Sequence, residues 1–213
     1  MTAPIPPAAP GPELRDVAER WPVLRHRQAR GVFVTLRTDQ VRMPDGEVAA
    51  RDVVEHPGAV AVVALDDAGQ VLLIRQYRHP AGRLLWEVPA GLRDVPGEPL
   101  RSTAERELLE ETGYAARTWH VLADCFTSPG IITERVRVFL ARDIAEAACQ
   151  DQIPPRRHEE AYLLPAWVPL EQAVSLLLAG QLHNGVTAVG ILAAYAAQQG
   201  GFAELREAGA RED

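Results

Sequence analysis

Residues 91–114 read GLRDVPGEPLRSTAERELLEETGY, and four acids, Glu105, Glu107, Glu110 and Glu111, crowd into two turns of what should be one helix. Leu100, Ala104 and Leu108 recur at helical spacing, and Gly113 follows where a left-handed C-cap ends a helix. A helix is therefore predicted over Leu100–Thr112, with one face in the core. At 100° per residue Glu107 and Glu111 stack beside that buried stripe, and Glu110 lies three residues from Glu107. Like charges at such spacing repel by roughly a few tenths of a kcal/mol per pair. Arg106 can pair with Glu110, four residues on, but one guanidinium does not balance the group. Either the helix is a solvated, ion-paired surface, or its oxygens converge on a hard divalent cation such as Mg²⁺, completed by substrate phosphates.

The rest of the chain surrounds this helix with strands. GAVAVVAL, a DDAG turn and QVLLIRQY read as a hairpin with one nearly all-apolar strand. LWEVPAGL reads as one short strand ending at Pro89, and TWHVLADCF, ERVRVFLAR and AYLLPAWVPL read as further strands. WVPLEQAVSLLLAG and NGVTAVGILAAYAAQ read as helices. Upstream, GVFVTLRTDQVRM and EVAARDVVEH alternate apolar and polar residues around an MPDG turn, the pattern of a small antiparallel sheet. Strict strand–helix alternation is missing, so the fold class is α+β. The expected division is a disordered, proline-rich leader at 1–12, an N-terminal β-sheet region at 13–56, a main domain at 57–202 and a flexible tail at 203–213.

Composition removes several function classes. The net charge is −7, and all 22 basic residues are arginine. No basic run exists to neutralise a nucleic-acid backbone, so nucleic acid is not an expected partner. Arginine used sparingly in an acidic chain suits discrete phosphate contacts, because its planar fork matches phosphate oxygens. Cys125 and Cys149 form neither a zinc pattern nor a disulfide framework, and read as free thiols in a reducing cytoplasm. The N-terminus has no secretory pattern, and the longest apolar stretch, near residues 186–197, is short of the roughly 20 residues of a membrane span. A cytoplasmic protein without membrane contact is expected.

Arg106 to Tyr114, RELLEETGY, with Glu98 upstream across seven intervening residues and Gly91 before it, resembles the signature of the Nudix hydrolase family. That signature is a Gly, a Glu, then R-E-apolar-x-E-E-x-G-apolar. The chain departs from it once: six residues, not five, separate Gly91 from Glu98, which puts the role of Glu98 in question. RQYRHPAGRLLWEVPAGL and TSPGIITERVRVFLA, with Pro129 sixteen residues after Gly113, are similar to the ADP-ribose pyrophosphatase subgroup. WVPLEQA fits as well.

The resemblance implies a Nudix-type α/β/α sandwich with a mixed sheet, plus an N-terminal antiparallel sheet exchanged in a homodimer. It implies metal-dependent hydrolysis of ADP-ribose to AMP and ribose 5-phosphate. The alternatives are hydrolysis of another nucleoside diphosphate derivative, such as a sugar nucleotide or dinucleoside polyphosphate, or a non-catalytic ADP-ribose-binding module. Position by position, it implies Glu107, Glu111 and the Ala90 carbonyl as ligands to Mg²⁺ or Mn²⁺. Glu110 either joins them or stays with Arg106, and both fall in the catalytic group. Glu159, or its neighbour Glu160, is the implied base for the attacking water. Arg51 and Arg78 match diphosphate-gripping positions, and Gly91, Pro129 and Glu134 match substrate-binding ones. Trp21 either stacks on adenine or packs within the small sheet.

Overall fold

The computed structural model describes residues 23–31, 34–147 and 162–212. Its strands form three sheets. The first is antiparallel, β1 (Val23–Arg30), β2 (Thr35–Arg42) and β3 (Val48–Glu55), in that order. The MPDG turn joins β2 to β3, as its sequence implies. This sheet meets the rest of the chain through Val54, whose N–H donates to Ile131 O (2.7 Å) and whose carbonyl accepts from Thr133 N–H (3.0 Å).

The main body holds β4 (Ala59–Ala64), β5 (Gln70–Arg78), β6 (Arg83–Glu87), β7 (Ala90–Leu92), β8 (Tyr114–Phe126), β9 (Arg135–Glu146), β10 (Leu164–Pro169) and β11 (Arg206–Glu207). A five-stranded sheet runs β11-β8-β9-β4-β7, and a three-stranded sheet runs β10-β5-β6. In the larger sheet β4 and β9 are parallel, and the pairs β8–β9, β4–β7 and β8–β11 are antiparallel. That sheet is mixed.

Three helices cover it: α1 (Leu100–Thr112), α2 (Leu170–Leu178) and α3 (Gly185–Gln199). Strand alternation sends side chains to opposite faces. Val60, Val62, Phe139 and Ala141 point toward Ala104 and Leu108 of α1. Ala61, Val63, Val138 and Leu140 point toward Ile191 and Ala194 of α3 and Ala173 of α2. Helices therefore lie on both sides of the sheet, an α/β/α sandwich. The run AVAVVA is apolar throughout because both its faces are covered. Helix α1 ends where its sequence says, and α3 begins at a side-chain cap. Gly113 adopts φ +77° and donates its N–H to Leu109 O, and the Asn184 side chain accepts from Thr187 N–H.

Three expectations are corrected. First, β4 and β5 do not form a hairpin. The edges of β4 are occupied by β9 and β7, so after the Asp66–Gly69 turn the chain joins the smaller sheet, leaving one isolated bridge, Leu65–Val71. Second, LWEVPAGL is two strands. β6 pairs with β5, β7 pairs with β4, and Val88–Pro89 carries the chain between sheets. Proline cannot donate to a ladder, which makes Pro89 a natural crossing point.

Third, residues 203–212, expected as a flexible tail, are held. Arg206 and Glu207 pair with Val121 and His120 of β8, and Ala208 and Ala210 pack on the core beneath α1. The buried Arg137 donates to the carbonyls of Ala210 and Arg211 and, at 2.7 and 3.0 Å, to Asp124, its cross-strand neighbour. Asp124 also accepts from Arg206 at 2.8 Å.

Burial alone would raise the Asp124 carboxyl, but the bonds from Arg137 and Arg206 outweigh it and hold the carboxyl below its ordinary range. A folded pKa below the unfolded one adds stability that is present above the unfolded pKa and is lost as pH falls through the folded one. Asp124→Asn is therefore expected to cost roughly 2–3 kcal/mol near neutrality, since it removes one partner of a mostly buried pair. Urea unfolding at a series of pH values is expected to show that deficit shrinking only below the carboxylate range.

Candidate active site

The acidic helix docks on β7 by two contacts at consecutive residues. Glu111 is buried, and its Oε2 accepts from Ala90 N–H at 2.9 Å. Glu107 lies over Gly91 so closely that a Cβ at residue 91 would sit 1.9 Å from the Glu107 carboxyl carbon. Gly91 leaves to Glu107 the space that any side chain there would take.

Arg106 is the counter-charge to the cluster. It contacts Glu107 at 2.6 Å, Glu98 at 3.2 Å, Glu110 at 3.5 Å and Asp94 at 3.7 Å. The Arg106–Glu110 pairing read from the sequence is present. Glu98 also accepts from Thr103 Oγ1 at 2.8 Å. The additional residue before Glu98 is taken up in a turn, with Glu98 N–H donating to Val95 O and Gly97 at φ +79°. Glu98 thus anchors Arg106 and the first turn of α1. Its carboxyl is held below the ordinary range by Arg106 first and Thr103 second.

Glu107 goes the other way. Burial lifts its carboxyl above the usual range, Arg106 opposes the shift, and Glu110 and Asp94 reinforce it. A buried carboxyl that is costly to ionise is one that a cation would favour in its charged form. Among the described residues no three His, Cys, Asp or Glu side chains gather into a ready-made metal cage. The donor set that fits a hard cation here is smaller: Glu107, Glu111 and the main-chain oxygen of Ala90, with the remaining positions open to water or phosphate oxygens.

Beside this helix end opens a cleft of about 420 Å³, bordered by Ala90, Gly91, Arg78, Glu87, Glu134 and Thr187 among others. Arg78 is fixed there by a fork of bonds to Glu87, at 3.0 Å from Nε and 2.7 Å from Nη2 to Oε2. Glu87 itself is only 2% exposed. Glu134 accepts from Thr127 Oγ1 at 2.6 Å and lies 3.4 Å from His56 Nδ1. Across the cleft, Thr187 Oγ1 accepts from Val88 N–H at 3.0 Å, tying α3 to the crossing between β6 and β7.

Of the residues singled out in the sequence, Ala90, Gly91, Glu107 and Glu111 come together at the α1–β7 contact, with Arg106 and Glu110 alongside. Arg78 and Glu134 line the cleft. Arg51 does not: it is exposed on β3 and donates to Ala50 O at 2.8 Å. Pro129 is exposed in the loop between β8 and β9 and lies off the cleft wall. Trp21, Glu159 and Glu160 fall outside the described residues. Sequence reasoning missed Glu87 and Thr187. A single acid within the apolar LLWEV run was the available signal for Glu87, since an acid is rarely buried without a partner.

The close approach at residue 91 is directly testable. Gly91→Ala is expected to cost about 1–3 kcal/mol in urea unfolding, the range for a side chain forced into filled space. Gly130→Ala, where nothing lies within 4 Å of the added carbon, is expected to stay within about 0.5 kcal/mol of the parent.

Comparison with known proteins identifies the family. The NUDIX domain profile matches residues 55–188. An ADP-ribose pyrophosphatase of Mycobacterium tuberculosis is 48% identical over 176 residues, covering 83% of each chain. One from Bacillus subtilis is 35% identical over 161 residues, covering 76% of this chain and 84% of the relative. A solved structure described as an ADP compounds hydrolase superposes with a TM-score of 0.73 at 20% identity, covering 88% of this chain and 98% of the other, a likeness of fold. With the signature helix, the sandwich and these relatives in agreement, the chain belongs to the Nudix family.

Proposed function

We propose that the protein hydrolyses the diphosphate of ADP-ribose, with Mg²⁺ or Mn²⁺, to AMP and ribose 5-phosphate. The observation that carries this reading is the docking of Glu107 and Glu111 on Ala90–Gly91 at the edge of a cleft that presents Arg78. The choice of ADP-ribose is supported by the extent of the likeness to the two named pyrophosphatases.

Glu107, Glu111 and the Ala90 carbonyl would hold the cation. When bound, it polarises the diphosphate and lowers the pKa of a water. Arg78, oriented by Glu87, supplies donors to the diphosphate oxygens. Water attacks phosphorus in line, the bridging P–O bond breaks, and the water's proton passes to Glu159 or, failing that, Glu160. Glu110 remains with Arg106, and the pair keeps Glu107 in place. Glu134 contacts the substrate from the opposite wall.

In a homodimer with exchanged N-terminal sheets, Arg51 and Trp21 of one copy would complete the cleft of the other. The setting is the cytoplasm, where removing a free aldehyde sugar protects protein amines. Among the described residues, no helix is long and apolar enough to cross a membrane.

Product analysis tests the proposal. With Mg²⁺, AMP release from ADP-ribose is expected to exceed turnover of a GDP- or UDP-sugar, NADH and a diadenosine polyphosphate. Glu111→Gln is expected to lower kcat by about a hundredfold or more, near 3 kcal/mol of transition-state stabilisation. Faster turnover of a sugar nucleotide or dinucleoside polyphosphate would keep the chemistry and replace the substrate. Binding without turnover of any compound would leave a non-catalytic binding module.

A further inference from the structure

At one row of the five-stranded sheet, Ala59 of β4 is paired on one side with Leu92 of β7 and on the other with Val136 of β9. All three residues border the cleft. One position outward, just beyond the ends of β4 and β7 and at the first residue of β9, stand Gly58, Arg93 and Arg135. They are tightly gathered: Arg93 N–H donates to Gly58 O at 3.1 Å. A Cβ at Gly58, which has φ +89°, would meet Arg135 O at 3.0 Å and Arg93 Cδ at 3.1 Å. Side chains next to one another along a strand leave from opposite faces. Arg135 therefore leaves on the face away from Val136, and its contact with Glu212 brings Arg93 to the same place.

Glu212 meets them there. Its Oε2 accepts from Arg93 Nη1 at 3.1 Å, and its Oε1 lies 3.8 Å from Arg135 Nε. One carboxylate thus spans from β7 to β9 across β4. The segment that delivers it is anchored independently, by Arg137 to the Ala210 and Arg211 carbonyls and by Arg206 to Asp124. Both arginines sit next to residues of the site. Arg135 follows Glu134, and Arg93 lies two residues beyond Gly91, over which Glu107 is seated.

We propose that Glu212 is a positioning residue for the hydrolysis. By sharing its carboxylate between Arg93 and Arg135, it sets the spacing of the strand ends that carry Gly91 and Glu134. It thereby sets the width of the cleft that takes the nucleoside diphosphate. This inference rests on the hydrolase reading above, and Glu212 itself touches neither substrate nor cation.

The test is a KM-against-kcat split on the full chain. Glu212→Ala is expected to raise KM for ADP-ribose roughly five-fold while kcat stays within about two-fold, because the Glu134 wall moves while Ala90 and Gly91 stay held by the β4 ladder and by Glu111. The dissociation constant for ADP-ribose without metal, by calorimetry, is expected to weaken by the same factor. Glu212→Gln, which keeps a neutral acceptor for Arg93, is expected to fall between the two and guards against a folding defect. Arg206→Ala loosens the same segment elsewhere, and is expected to lower the thermal midpoint without moving KM.

An unchanged KM and dissociation constant in Glu212→Ala would overturn the proposal. So would a KM rise of equal size in Arg206→Ala, which would reduce Glu212 to general stability. If the parent protein prefers another nucleoside diphosphate, the substrate assignment fails separately. The same comparison is then run on that compound, where a flat KM overturns the positioning role.

Discussion

A missing β-carbon at residue 91 gives the Glu107 carboxyl its place against the sheet. Glu107 occupies the space beside Gly91, and Glu111 takes the N–H of Ala90 one residue earlier. These contacts hold two carboxylates against a main chain that would otherwise reject them. The rest of the helix conforms: Ala104 and Leu108 bury against Val60, Val62 and Phe139, and Gly113 ends the helix so that β8 can begin at Tyr114. A larger residue at 91 would displace the Glu107 side chain from its seat beside Arg106.

The charges on the two sides of β7 are handled alike. On the helix side, four acids share Arg106, the shortest contact being to Glu107. On the cleft side, Glu87 is buried and keeps the fork of Arg78 aimed. In each case a side chain is held in one orientation by an opposite charge, as a preorganised site requires.

Much of this was legible in the sequence. The helix Leu100–Thr112 and its glycine cap, the apolar strand at β4 and the apolar helix α3 followed from side-chain patterning and one end signal, which are local properties. The pairing of Arg106 with Glu110 followed from spacing alone. What could not be read was which strand pairs with which. QVLLIRQY looks the same whether it folds back on β4 or joins β10 and β6, and only the competition of β7 and β9 for the edges of β4 decides it. The tail was misread for a related reason. AELREAGARE is polar and short, and its order comes from distant partners: Asp124, Arg137, Arg93 and Arg135. The role of Gly91 was likewise hidden, because the group that excludes a side chain there lies sixteen residues away in sequence.

Because the chain contains no lysine, its ion pairs among the described residues are built on guanidinium groups, His56–Glu134 apart. A guanidinium keeps its proton far into alkaline solution, where an ammonium begins to lose it near pH 10, roughly. The pairs of Asp124 with Arg137 and Arg206 therefore have only an acid limit, set by that carboxylate. The same substitution of nitrogen chemistry has a second side. An ε-amine condenses readily with the open-chain aldehyde of a free sugar, and this fold offers none. For a protein whose proposed substrate and product are both reducing pentose derivatives, the scaffold is free of the side-chain amines with which they most readily react.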